Sequence, residues 1–319
     1  MSSNKVLTEI KDDDGNLQVS EPVTFNHIKN KQVRRTAVQK HLKLKRKLKK
    51  DERKKKKMSG APKQVPRTLE STREKDETML DQLDESQVEE LQYDLTVDPF
   101  SKYFDKTYEP KVLITYSDNP LTKTRIFGKE LRRIIPNSIN LLRNRSGVKK
   151  MVKNCIEKGF TDIIIINENM RQPNGLLVVH LPDGPTANFR LSNVKITSEL
   201  RRNHKEISTH RPEVVLNNFQ TQLGNTVSRM LASLFHYDPE FKGRRAVTFH
   251  NQRDYIFFRH HRYEFTPNGK VRLRELGPRF TLKLRSLQKG TFDSKTGEYE
   301  WLITGNRHRM ETSRRKFFL

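Results

Sequence analysis

The chain has 319 residues, 63 of them Lys or Arg and 38 Asp or Glu, a formal charge of +25 at pH 7, and only 33% hydrophobic residues. That apolar fraction, well below the roughly 45–50% of ordinary globular chains, leaves part of the length outside any core, and the positive surplus points to nucleic acid before other partners. The longest aliphatic run, 163–166, is far short of the roughly 18 residues of a membrane span, the start lacks a secretory pattern, and the lone Cys155 excludes an intramolecular disulfide and any multi-cysteine metal site, so a reducing, intracellular setting is expected.

Charge is arranged in blocks along the first third of the chain. Residues 29–57 hold 16 Lys or Arg against Asp51 and Glu52, a net +14, and residues 70–98 hold 11 acids against Arg73 and Lys75, a net −9. Like charges repel one another and oppose compaction, so 1–98 is expected to be a largely disordered, charged extension. Its densest part, Lys43, Lys45, Arg46, Lys47, Lys49, Lys50, Lys54, Lys55, Lys56 and Lys57, is a candidate nuclear localisation signal and nucleic-acid arm. Ala37, Val38, Leu42, Leu44 and Leu48 interrupt the basic residues, which fits a solvated helix as well, and the two readings are compatible. The breakers Ser59-Gly60-Ala61-Pro62 and Val65-Pro66 form a connector. In the acidic stretch Met79, Leu80, Leu83, Val88 and Leu91 recur at loosely helical intervals; it binds a basic partner, folds back over a basic surface, or does neither.

From Pro110 the texture becomes that of a layered α/β domain, expected over 110–290 with a basic tail at 291–319. Lys111-Val112-Leu113-Ile114-Thr115-Tyr116 reads as a buried strand, and Ser117-Asp118-Asn119-Pro120 ends it and caps a helix through Ile126, Leu131, Ile134 and Ile135. A second helix is expected over 148–158, ending at Gly159. A strand at 162–166 follows, then one at 176–181, paired across a Gln172-Pro173-Asn174-Gly175 turn. The opening then recurs in character as Pro212-Glu213-Val214-Val215-Leu216-Asn217-Asn218-Phe219, followed by a helix through Val227, Met230, Leu231, Leu234 and Phe235 and strands at 246–249, 255–258 and 280–284. Two related halves, about 110–200 and 212–290, are one reading; a shared α/β texture without duplication is the other.

Enzyme chemistry finds little support. No phosphate-cradling loop of the Gly-x-x-x-x-Gly-Lys-Ser/Thr or Gly-x-Gly-x-x-Gly type is present. His180, His204, His210, His236, His250, His260, His261 and His308 are dispersed, and adjacent His260 and His261 would point to opposite faces of a strand. Cys155 fits a small core residue. No catalytic residue, metal or cofactor is therefore assigned. The positive signal lies in 242–319, with 19 Lys or Arg, seven acids, and Phe249, Tyr255, Phe257, Phe258, Tyr263, Phe265, Phe280, Phe292, Tyr299 and Trp301 interleaved. Most of these aromatics are expected in the core, while the remainder beside Arg244, Arg245, Arg253 and Arg259 offers stacking and charge for exposed bases and phosphates. In Leu276-Gly277-Pro278-Arg279-Phe280-Thr281-Leu282-Lys283-Leu284-Arg285-Ser286-Leu287-Gln288-Lys289-Gly290, Phe280, Leu282 and Leu284 alternate with Arg279, Lys283 and Arg285, giving one inward and one basic face.

At these residues the sequence resembles the Brix family of eukaryotic ribosome-assembly factors. The resemblance is carried by 110–120, by Pro212-Glu213-Val214-Val215-Leu216-Asn217-Asn218-Phe219, by Thr248-Phe249-His250-Asn251-Gln252-Arg253-Asp254-Tyr255-Ile256-Phe257-Phe258-Arg259, by Glu275-Leu276-Gly277-Pro278-Arg279-Phe280 and by the closing Ser313-Arg314-Arg315-Lys316-Phe317-Phe318-Leu319. It implies a duplicated α/β domain whose halves resemble the anticodon-binding domain of class II aminoacyl-tRNA synthetases. It further implies a non-enzymatic protein of the nucleus and nucleolus that binds precursor rRNA of the large subunit beside a dedicated protein partner in early pre-60S particles, with no membrane partner. The Gly-Pro-Arg-Phe region resembles the family's sigma-factor-like RNA-binding segment. By residue matching, RNA contact passes to Arg279, Lys283, Arg285 and Lys289, with Arg253 and Arg259 as weaker candidates; the Arg244–Arg245 pair is a further candidate outside that match. A scaffold that touches RNA only through the basic arm is the competing reading.

Overall fold

The computed structural model describes residues 8–11, 17–20, 25–60, 65–74, 78–80, 89, 93, 98–200, 207–303 and 316–319, in two units, Met1–Arg67 and Thr68–Leu319. In the first unit, strands β1 (Thr8–Lys11) and β2 (Leu17–Ser20) pair antiparallel, and helix α1 (Lys31–Met58) runs for 28 residues. The expectation of a largely disordered extension is thereby corrected for the basic arm. Helix wins over charge repulsion for local reasons. Asn30 caps the N-terminus, its Oδ1 accepting from the Gln32 N–H at 2.9 Å. The segment is dominated by Lys and Arg, with Leu among them, and lacks Gly and Pro. Lys55, Lys56 and Lys57 in the last turn meet the negative end of the helix dipole. No residue of α1 is buried, and all ten localisation candidates are exposed.

The second unit carries α2 (Ser101–Phe104), β3 (Val112–Tyr116), α3 (Thr122–Ile134), β4 (Ser138–Asn140), α4 (Val148–Glu157), β5 (Asp162–Asn169), β6 (Gln172–His180) and β7 (Thr186–Lys195). It continues with β8 (Glu213–Asn217), α5 (Gln222–Ser233), β9 (Arg245–Gln252), β10 (Tyr255–Phe265), β11 (Val271–Glu275), β12 (Arg279–Gln288) and β13 (Tyr299–Leu302). Strands β3 to β13 form one 11-stranded sheet in the order β4-β3-β5-β6-β7-β12-β10-β9-β8, with β11 on β10 and β13 on β12.

The pairing pattern occurs twice. In the first half β3 is parallel to β5, and β5, β6 and β7 then run antiparallel; in the second, β8 is parallel to β9, and β9, β10 and β12 run antiparallel. Even the hairpins correspond. Two-residue turns, Met170-Arg171 and Arg253-Asp254, close β5–β6 and β9–β10, each with both residues at positive φ as type I′ geometry demands. The halves meet where β7 and β12 pair antiparallel.

Both α3 and α5 pack on one face of this sheet. Phe127, Leu131 and Ile134 from α3 and Val227, Met230 and Leu231 from α5 share a single core with Ile114, Phe189, Leu282 and Phe258. A chain of rings runs through it: Phe127 edge-on to Phe280 at 5.4 Å, Phe280 stacked on Phe258 at 4.2 Å, Phe258 against Phe249 at 5.2 Å, and Phe249 against Phe235 at 6.0 Å. On the opposite face α4 covers the first half, its Met151, Val152 and Cys155 packing on Leu113, Ile163 and Ile165. Among the described residues no helix repeats that role over β12, β10 and β9.

Several expectations shift. Gln172-Pro173-Asn174-Gly175 lies within β6 rather than forming the turn, because the chain reverses two residues earlier and a bulge opposite Asn167/Glu168 absorbs Asn174 as the extra residue. The Ser-Asp-Asn capping of α3 is absent; Leu121 holds the cap position without a side-chain bond. Of the ten aromatics expected mostly in the core, only Phe249, Phe258 and Phe280 are fully buried; Trp301 and Phe292 pack partly buried against the two cores, and Tyr255, Phe257, Tyr263, Phe265 and Tyr299 keep an exposed or half-exposed side. The C-terminal region is built into the domain at both described ends. There, β13 pairs with β12, Phe317 and Leu319 are buried, and the N–H groups of Phe318 and Leu319 donate to Asp254 Oδ1 at 2.7 and 3.0 Å. Of the alternatives for the acidic stretch, its described parts fold back: Glu70 pairs with Arg253 at 2.9 Å, Glu74 with Lys316 at 3.5 Å, Asp98 with Arg229, and Met79 bridges to Thr221. Leu83, Val88 and Leu91 lie outside the described residues.

Candidate nucleic-acid interface

Strand β12 starts directly after Gly277-Pro278, and its alternation sends Phe280, Leu282 and Leu284 into the shared core. Arg279, Lys283 and Arg285 take the other face, which no helix among the described residues covers. Register then assembles neighbours around them. Lys283 lies beside Arg190 of β7 and Arg279 beside Lys195, while Phe257 of β10 lies beside Thr281 and is flanked two residues either way by Tyr255 and Arg259. Six cations and two aromatic rings thus share one surface.

The side chains are held in place by one another. The Arg279 guanidinium makes a two-pronged pair with Glu275, its Nε donating to Oε1 at 2.8 Å and its Nη2 to Oε2, and Arg259 Nε stands 4.0 Å from the same carboxylate. This fork holds Glu275 below the usual carboxylate range. Burial, with Arg279 nearby, lowers the Arg259 pKa from its ordinary value. The Lys283 ammonium sits 4.8 Å from the centre of the Tyr255 ring and the Arg259 guanidinium 5.9 Å from that of Phe257, cation–π geometry that presents ring and charge together.

The sequence candidates separate into three groups. Arg259, Arg279, Lys283 and Arg285 come together on the uncovered face. Arg253, Arg244 and Lys289 stand at strand ends, Arg253 in the β9–β10 turn and paired with Glu70, Arg244 and Lys289 exposed just outside β9 and β12. Arg245 departs from expectation: it is 2% exposed. Its Nη1 donates to the carbonyls of Ser208 and His210 at 2.5 and 2.6 Å, its Nη2 to that of Arg133 at 3.2 Å and its Nε to His260 Nε2 at 3.2 Å. Burial lowers its pKa to about 10; it is a structural cation and is unavailable to a ligand on the surface. Arg190 and Lys195 are additions that the sequence reading missed. Ala187, Phe189 and Leu191 alternating with Asn188, Arg190 and Ser192 was the available signal.

Among the described residues no three His, Cys, Asp or Glu side chains converge as a metal site would require, and no helix is long and apolar enough to cross a membrane.

A sheet of two like halves, basic and uncovered on one side of the second, is the setting in which the comparisons fall. Residues 117–286 match the Brix domain, and the chain belongs to the Brix-domain family. It is 62% identical over 293 residues to probable ribosome production factor 1 of Drosophila melanogaster, covering 92% of this chain and 74% of that protein. It is 54% identical over 258 residues to ribosome production factor 1 of Xenopus laevis, covering 81% and 74%. A crystal structure of a probable ribosomal biogenesis protein from Aeropyrum pernix K1 aligns with 61% of this chain and 99% of that one, with 16% identity and a TM-score of 0.41.

Proposed function

We propose that this protein is a non-enzymatic ribosome-biogenesis factor of the nucleus and nucleolus that binds precursor rRNA during early large-subunit (pre-60S) assembly. The name shared by its relatives supports the ribosomal setting. The observation that carries RNA binding is the uncovered sheet face, where Arg190, Lys195, Arg259, Arg279, Lys283 and Arg285 surround Tyr255 and Phe257. Phosphates neutralised there release counterions, and each base stacked on a ring adds roughly 1–3 kcal/mol. Arg253, Arg244 and Lys289 extend the cationic rim. The exposed lysines of α1 serve nuclear import and add phosphate contacts. Protein–RNA crosslinking in cells at nucleotide resolution tests the reading: crosslinks on β7, β10 and β12 to large-subunit precursor rRNA are expected, and crosslinks confined to α1 defeat it.

One observation favours a second reading, a scaffold that docks a protein partner. The β10–β11 hairpin leaves Phe265, Val271 and Leu273 exposed at 63%, 53% and 62%, with Tyr263 and Leu273 directly paired. Removing Met1–Arg67 separates the two. Salt-dependent RNA binding retained by the rest favours the sheet face, and its loss favours the scaffold.

A further inference from the structure

We infer that a crevice between the carboxyl ends of β3 and β4 is a second phosphate site, built to enclose the phosphate ester of a single nucleotide. It lies in the first half, on loops away from the uncovered sheet face. It rests on the RNA-binding reading only for the source of that nucleotide.

Topology makes the crevice. The chain leaves β3 into α3, which packs on the face of Val112 and Ile114, and leaves β4 toward α4, which packs on the opposite face with Leu113. The two loops turn to opposite faces of the sheet, and a gap opens between them outside the carboxyl ends of the two strands. Here the gap is a cleft of about 390 Å³ lined by Ser117, Asn119, Arg125, Leu142, Arg143 and Arg145 among others, within the size range of small-molecule sites. Among the described residues the second half has no strand equivalent to β4.

Three guanidiniums give it a phosphate's complement. Arg125 is anchored by Nε donating to Pro120 O at 2.7 Å. Arg143 is anchored by Nη2 donating to Asp118 Oδ1 at 3.1 Å, while its buried Nε has no hydrogen-bond partner. Arg145 is exposed. Two carboxylates stand nearby, Asp118 paired to Arg143 and Glu168 on the Leu121 N–H, so the three guanidiniums still leave positive charge in excess. The end of α3 is not what recognises the ligand, because Glu168 Oε2 already accepts from the Leu121 N–H at 2.9 Å. Leu142, 50% exposed, supplies an apolar wall for a base, and Ser117 and Asn119 supply hydrogen-bonding groups.

The loop is bent for this purpose. Asn144 and Arg145 are consecutive left-handed residues, at φ 49° and 61°. Two other such pairs in the sheet, Met170-Arg171 and Arg253-Asp254, are hairpin turns that require positive φ; this pair closes no hairpin. A left-handed non-glycine residue costs roughly 1–2 kcal/mol, and such strain is kept where geometry serves a site. What it secures is two arginines, Arg143 and Arg145, on one wall.

Calorimetric titration of the full chain with a nucleoside monophosphate, with inorganic phosphate and with a short single-stranded RNA tests the inference. The key variant is Arg145→Asn, which removes the charge yet keeps a residue that tolerates left-handed backbone. Saturable nucleotide binding, roughly tenfold weaker in Arg145→Asn and unchanged when Arg190 and Lys283 are replaced by Gln, is expected. Displacement of the nucleotide by RNA assigns the site to a strand, and its persistence assigns it to a free nucleotide. No saturable binding, equal affinity in Arg145→Asn, or phosphate binding as tightly as nucleotide overturns the inference. RNA bound without nucleotide affinity leaves the sheet-face reading standing alone, whereas nucleotide bound without RNA affinity removes that reading and keeps the crevice.

Discussion

Replacing Arg190, Lys195 and Lys283 together with Gln removes three cations from the uncovered face and leaves the Arg279–Glu275 fork intact. Each phosphate contact contributes about −0.7 to the slope of log K against log salt for a single strand and about −0.9 for a duplex. Three contacts therefore lower the slope by roughly 2 to 2.7. Over the fourfold change from 50 to 200 mM salt the unaltered protein should lose roughly 20- to 40-fold more affinity than the variant. Fluorescence anisotropy with a labelled precursor-rRNA fragment across that range measures it. Arg190 and Lys195 are exposed, and changes of this kind cost within about 0.5 kcal/mol each, so thermal melting should stay close to native. Parallel salt lines for the two proteins, with native melting, would refute the assignment of this face to phosphate.

Arg245→Met should cost about 3 kcal/mol in urea denaturation, because it strands the carbonyls of Ser208, His210 and Arg133, while the salt slope for RNA stays unchanged. His260 is fully buried, donates from Nδ1 to Gly277 O at 2.9 Å and accepts from Arg245, and burial lowers its pKa from 6.5 to about 4. The unfolded chain thus binds the extra proton between those values. Stability is full above pH 6.5 and falls by on the order of 3 kcal/mol as pH drops to 4; His260→Gln should flatten that part of the pH–stability curve. Phe280→Ala should destabilise by about 3–5 kcal/mol, since it opens the ring chain at its stacked link, and denaturant midpoints report it. Gln at Lys54, Lys55, Lys56 and Lys57 should exclude a fluorescent fusion from the nucleus.

The strands that carry long apolar runs were legible in the sequence because burial on both faces leaves no polar interruption: 162–166 is the clearest, covered by α3 on one side and α4 on the other. β7 was missed because its face away from the shared core is polar and Asn193, at φ 52°, breaks the alternation before Val194. The basic face of β12 could be read from Arg279, Lys283 and Arg285 alone, but its partners Arg190 and Lys195 lie 84 or more residues upstream, and only register brings them alongside. Arg245 misled for the converse reason. Charge next to Arg244 resembles a surface patch, and nothing local announces that three backbone carbonyls wait for its guanidinium.

The β7–β12 joint has a further consequence, in the order and reversibility of folding. It pairs residues 84 to 102 positions apart, from Lys195 with Arg279 to Thr186 with Gln288, whereas β5–β6 and β9–β10 are closed by two-residue turns. Long-range closure costs more entropy and comes later, so each half can zip locally before the seam between them forms. Arg190 and Lys195 stand on one side of that seam, Arg279 and Lys283 on the other, so the cationic face exists only while the seam is shut. On the proposed RNA-binding role, a strand laid across the seam would clamp the halves together, by roughly 2.7 kcal/mol at a free concentration one hundred times Kd.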